Sequence, residues 1–151
     1  MKRVRILGNK IIISLLIVGT LTGVGLGFKY LHDRDSRNTA EQAVYLMYNF
    51  ESFSDVYENQ MKDLEKICSE DVYKNITVKN IDRALTTYLK FKGNPCKVNI
   101  LQKSNNYIIY ELDTPSITAG RKFVMFYETN IWGKIVKMEE AELRDFYKAR
   151  S

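Results

Sequence analysis

The stretch Phe123-Val-Met-Phe-Tyr-Glu-Thr-Asn-Ile-Trp-Gly-Lys-Ile-Val-Lys-Met-Glu-Glu140 decides the fold. β-Branched and aromatic residues dominate Phe123 to Thr129 and return within Ile131 to Glu140, with Asn130 between the two segments and Trp132 and Gly133 just after it. Such runs on either side of a turn residue predict a β-hairpin. Upstream, Val98 and Ile100 alternate with polar neighbours, Ser104-Asn105-Asn106 supplies a turn, and Tyr107 to Leu112 returns as a second apolar run. Four antiparallel strands follow from this period of two. The charged end, Glu139 to Arg150, fits either a strand extension or a short helix.

Before Gly93 the period is that of a helix. Asn38 and Glu41 form an Asn-x-x-Glu start signal, followed by Ala40, Ala43, Val44 and Met47, then Leu46, Phe50, Phe53, Tyr57, Met61, Leu64 and Ile67 at spacings of three and four. Ser52 and Ser54-Asp55 favour caps over helix interiors and divide this stretch in two. Ser69-Glu70-Asp71 begins another helix, and a further one carries Ile81, Ala84, Leu85, Tyr88 and Leu89 up to a stop at Gly93. Helices first and strands second predict an α+β domain, with helices covering one face of a curved four-stranded antiparallel sheet.

Residues 11 to 28 form an uncharged apolar run behind Lys2, Arg3, Arg5 and Lys10. In helical form it spans roughly 27 Å, close to the thickness of a hydrocarbon core. Four basic residues and no acidic one precede it, whereas Lys29, Arg34 and Arg37 behind it are mixed with Asp33 and Asp35, so the N-terminus is expected in the cytoplasm. A cleaved secretory signal has the same charge order, but its apolar stretch is usually shorter and Gly25-x-Gly27 is the only passable cleavage site. An uncleaved single-pass anchor in the cell membrane is the preferred reading. The expected organisation is a cytoplasmic tail at 1–10, a transmembrane helix at 11–28, a stalk at 29–37 and an extracytoplasmic α+β domain at 38–151.

Four of the five net positive charges of the 151-residue chain belong to the first ten residues. The domain itself is close to neutral, with Lys and Arg interspersed among Asp and Glu, which argues against direct nucleic-acid binding. Gly19, Gly23 and Gly27 make two consecutive G-x-x-x-G spacings, a pattern that lets transmembrane backbones approach and predicts homo-oligomers in the membrane.

Cys68 and Cys96 are the only cysteines. Two readings are open: a disulfide between a helix end and the first strand, worth about 3.5 kcal/mol through loop closure, or two buried thiols packing as small apolar groups. A composition rich in Lys, Asn, Ile and Tyr suits Gram-positive bacteria, many of which export few disulfides, and favours the second. Two cysteines 28 positions apart without a nearby histidine lack metal-ligand spacing. The single histidine, His32, stands next to the expected membrane surface, so neither a metal site nor a cofactor is expected.

An N-terminal anchor, a long first helix, shorter helices and a four-stranded meander whose late strand carries Trp132-Gly133-Lys134-Ile135-Val136 resemble the nuclear transport factor 2-like superfamily over residues 38 to 143. With its span, the chain is similar to the bitopic assembly component of type IV secretion and conjugation systems, the eighth protein of the VirB operon and its Gram-positive counterparts. In that superfamily glycine commonly precedes the tryptophan; here Gly133 follows Trp132. The resemblance implies a cone-shaped pocket, for which Tyr110, Asp113, Tyr127 and Trp132 are candidate pocket or interface residues. It implies a non-catalytic scaffold that contacts itself and other envelope proteins. The alternative is an anchored binding module holding a small molecule or a cell-wall fragment in that pocket.

Overall fold

The computed structural model describes residues 2–59, 63–76, 88–117 and 120–148, with side chains described between residues 22 and 147. The chain divides into two compact units, Met1–Arg34 and Asp35–Ser151. Helix α1 (Lys2–Tyr48) supplies the described backbone of the first and the opening helix of the second. Residues 29–48 contain no glycine or proline, so nothing interrupts the helical ladder there. The expected helix start at Asn38 is therefore corrected: Asn38 lies inside α1, and the stretch expected as a stalk, residues 29–37, is helical. Of the expected membrane span, residues 11–21 lie outside the described side chains; among the described residues no helix is long and apolar enough to cross a membrane.

Within the second unit, Ala40, Ala43, Val44 and Met47 are buried at the helical spacing expected of them. Short helices follow, among them α2 (Phe53–Glu58), α3 (Leu64–Ile67) and α4 (Glu70–Ile76). Ser52 caps α2 in a reciprocal box, its hydroxyl accepting from the Asp55 amide while the Asp55 carboxylate accepts from the Ser52 amide at 3.0 Å. At α4, the Ser69 carbonyl accepts from the Tyr73 amide at 2.8 Å. Most of the helix expected around Ile81 to Leu89 lies outside the described residues. Its stop does not: Gly93, at φ +72°, donates to the Tyr88 carbonyl at 3.1 Å.

The sheet has the order β1 (Lys97–Lys103), β2 (Tyr107–Asp113), β3 (Lys122–Thr129), β4 (Ile135–Glu142), all neighbours antiparallel. Val98, Ile108, Tyr110, Leu112, Phe123, Met125, Tyr127 and Ile135 join the buried helical residues in one core. The opposite face is not left to water, as the expectation of helices on one face would have it. A C-terminal helix, α5 (Leu143–Lys148), sets the Phe146 ring 5.3 Å from Phe126 and 6.4 Å from Tyr107. Those two residues pair across β2 and β3 and alternate with the core-facing residues.

Both edge strands are tied to the helical layer at one end. Phe50 and Cys96 exchange two backbone hydrogen bonds of 2.9 Å just ahead of β1, and the Ser69 amide donates to the Ile135 carbonyl at 2.8 Å where β4 begins. These ties position the start of β1 against the α1–α2 junction and the start of β4 against the α3–α4 junction.

Candidate functional site

The end of α1, the middle of β2 and the far part of β4 bring three polar atoms together. The Tyr48 and Tyr110 hydroxyls both donate to Glu140 Oε2. Tyr110 is fully buried, with its ring stacked 5.8 Å from Tyr48 on one side and 5.8 Å from Phe123 on the other. Burial, together with the neighbouring Tyr48 and Glu140, pushes the Tyr110 hydroxyl far above its ordinary pKa, so it stays a donor at any physiological pH. Glu140 keeps part of its side chain in solvent and turns one oxygen inward. Two phenolic donors on one carboxylate oxygen make a clamp that joins α1, β2 and β4. Its donors are spent within the chain.

The aromatic stack continues past the clamp. Phe91 meets Tyr48 edge-on at 6.5 Å and Phe50 at 5.4 Å, and Tyr88 follows at 6.4 Å from Phe50. Each such contact adds about 0.5–1.5 kcal/mol beyond simple burial. The chain's own rings thus occupy the space between helices and sheet along this line.

The four residues nominated as pocket or interface do not form one site. Tyr110 and Tyr127 are core residues, and the Tyr127 hydroxyl donates to the Ser104 carbonyl at 2.6 Å, fastening β3 to the β1–β2 turn. Asp113 is exposed at the end of β2. Trp132 is 81% exposed, and it lies within the β3–β4 turn rather than just behind it. The Gly133 amide donates to the Asn130 carbonyl at 2.9 Å, so Ile131 and Trp132 hold the two central positions of a β-turn. Gly133, at φ +75°, supplies the left-handed residue that returns the chain into β4.

Tyr48 and Glu140 escaped the sequence reading. Alternation by two from Met138 puts Glu140 and Glu142 on the core-facing side of β4, and that signal was present in the sequence. Tyr48 ends α1, one residue past the buried Met47.

Cys68 caps the end of α3 and Cys96 precedes β1; both are buried and free. Burial pushes the Cys68 thiol up to about 11 against the pull of Lys134, and pushes Cys96 up to about 12 with the Asp113 carboxylate adding to it. Of the three glycines in the expected span, Gly23 and Gly27 have open space where a Cβ would stand, and Gly19 lies outside the described side chains. No group of three His, Cys, Asp or Glu side chains among the described residues is placed to hold a metal ion.

A groove of about 560 Å³ runs between the start of β3 and α5, lined by Arg121, Lys122, Glu142, Arg144 and Tyr147 among others. Its charges largely answer one another: Arg121 pairs with Glu142, and Arg144 lies 3.8 Å from Glu142 and 3.6 Å from Asp145. No protein-family model, curated protein or solved structure matches the chain.

Proposed function

We propose that the chain is a membrane-anchored, non-catalytic scaffold component of a type IV secretion or conjugative transfer apparatus, acting through protein contacts of its extracytoplasmic domain. The observation that carries the anchor is the exposure of Val24, Leu26 and Phe28, which are 66–71% exposed along α1. Large apolar side chains left about two-thirds exposed along a helix are suited to lipid and poorly suited to water. In this reading the glycine spacing of Gly19, Gly23 and Gly27 serves self-association of the anchor.

The scaffold half of the reading is supported by the domain interior. Of the two phenols nominated for a cone pocket, Tyr110 is stacked between rings and committed to Glu140, and Tyr127 donates to the Ser104 carbonyl. The transfer apparatus itself rests on the resemblance in element order and in the Trp132 to Val136 segment. Deletion of the gene is expected to lower transfer of the mobile element while leaving growth normal, with transfer restored by the full chain. Unchanged transfer in the deletion strain contradicts the assignment.

A further inference from the structure

Turn centres are the most water-exposed positions of a hairpin, and they select Gly, Asn, Asp, Ser and Pro. The β1–β2 turn obeys that chemistry with Ser104, Asn105 and Asn106. The β3–β4 turn breaks it, holding Ile131 at 71% exposure and Trp132 at 81%. The turn is not loosely held. Asn130 Oδ1 accepts from the Trp132 amide at 3.0 Å and the Lys134 amide at 3.1 Å, and the Asn130 amide donates to the Lys134 carbonyl at 2.9 Å. A braced turn thus presents two adjacent large apolar side chains to solvent, with the exposed Lys134 beside them.

The place of this turn in the domain indicates what covers it. Ser36, in the opening turn of the domain's part of α1, lies with its Oγ 2.6 Å from Thr129 Oγ1, one residue before the turn. Arg37 donates to Asn105 Oδ1 at 2.6 Å, so the β1–β2 turn stands at the same end. Ser36 follows Phe28, the last residue of the expected span, by eight positions, and eight residues reach at most about 28 Å even fully extended. The apolar tip is therefore held at the end of the domain from which the anchor departs.

We infer that Ile131 and Trp132 dock into the interfacial layer of the membrane that holds the anchor, making the β3–β4 tip a second attachment point of the domain. Indole is suited to that layer, where its apolar body enters the acyl boundary and its N–H remains among polar groups, and Lys134 can reach phosphate. The inference rests on the anchor reading. It adds that the domain is oriented on the bilayer rather than swinging freely from its helix.

Trp132 is the only tryptophan in the chain, so its fluorescence reports this tip alone. The full chain is reconstituted into vesicles of phosphatidylcholine and phosphatidylglycerol, floated after an alkaline carbonate wash, and compared in plain and in acyl-brominated phosphatidylcholine. Docking predicts a blue-shifted emission in plain vesicles and a loss of about twofold or more with brominated lipid, as expected for an indole within ~5–10 Å of the acyl boundary. Ile131→Asp, which suits a turn centre and keeps Trp132, is expected to relieve the quenching with an unchanged circular dichroism spectrum. A chain that floats with an unquenched, red-emitting Trp132 overturns the docking and leaves the anchor standing. A floating chain whose emission is blue-shifted but unquenched assigns Trp132 to a protein contact and also overturns it. A chain that does not float overturns the anchor and the docking together.

Discussion

Ser36 Oγ lies 2.6 Å from Thr129 Oγ1, joining the helix that opens the domain to the last residue of β3, 93 positions away. Ser36 is 3% exposed, so its hydroxyl has little water to turn to. Ser36→Ala is expected to lose about 1 kcal/mol, the usual value of a neutral hydrogen bond, read as a thermal midpoint lower by a few degrees. Thr129→Val should lose a similar amount, and the double variant little more than either single one. Additive losses would show that the two hydroxyls do not act on each other.

The Glu140 clamp makes a second prediction. Tyr110→Phe and Tyr48→Phe each leave the ring stack in place and remove one donor from the same carboxylate oxygen. Each is expected to cost about 1.5–3 kcal/mol, the range for hydrogen bonds to a charged group, with solvent access to Glu140 placing the result toward the lower end. Chemical denaturation measures this. Two silent variants would mean that the clamp contributes nothing to stability.

For the cysteines, the expectation is two free thiols that react only on unfolding. Their raised pKa values, about 11 and 12, keep the thiolate scarce at neutral pH, and burial blocks reagent. An aromatic disulfide reagent should titrate no thiol in the native protein and two in denaturant without reductant. None in denaturant would establish the bridge.

Stability should fall on both sides of a broad neutral plateau. Asp55 is held below its ordinary value by the Glu51 and Ser52 amides, Glu70 by Lys74, and Glu142 by Arg121. Groups with depressed folded pKa values stabilise above their unfolded values, 3.8 and 4.5, and that contribution is lost as pH falls through the folded ones. Cys68, Cys96 and Tyr110 are raised, so their contribution is complete below 9.0 to 10.0 and declines above it, where only the unfolded chain gives up these protons. Thermal midpoints between pH 3 and 11 test both limbs. A midpoint still rising above pH 10 would contradict the alkaline one.

Local signals were legible in the sequence and long-range ones were not. The capping box at Ser52 and the buried stripe Ala40, Ala43, Val44, Met47 depend on neighbours three or four residues apart, and both stand where the pattern put them. Asn38 carries an equally good start signal, yet helix-compatible residues on both sides and the Ser36–Thr129 contact keep α1 continuous through it. The returning strand begins at Ile135 rather than Ile131 because Gly133 takes the left-handed conformation and puts Trp132 at the tip. The tail that carries Phe146 reads only as charged; the paired Tyr107 and Phe126 on the second face of the sheet give that ring its role. The clamp joins residues 92 and 30 positions apart, a separation that no local period encodes.

The central claim, a domain outside the cell membrane on a single N-terminal span, is tested most directly by protease treatment of protoplasts carrying the full chain, followed by alkaline carbonate extraction of their membranes. The account predicts that external protease removes the domain while the N-terminal fragment stays in the carbonate-washed membrane. Release of the chain by carbonate, or a membrane-retained domain that external protease cannot reach, would contradict it.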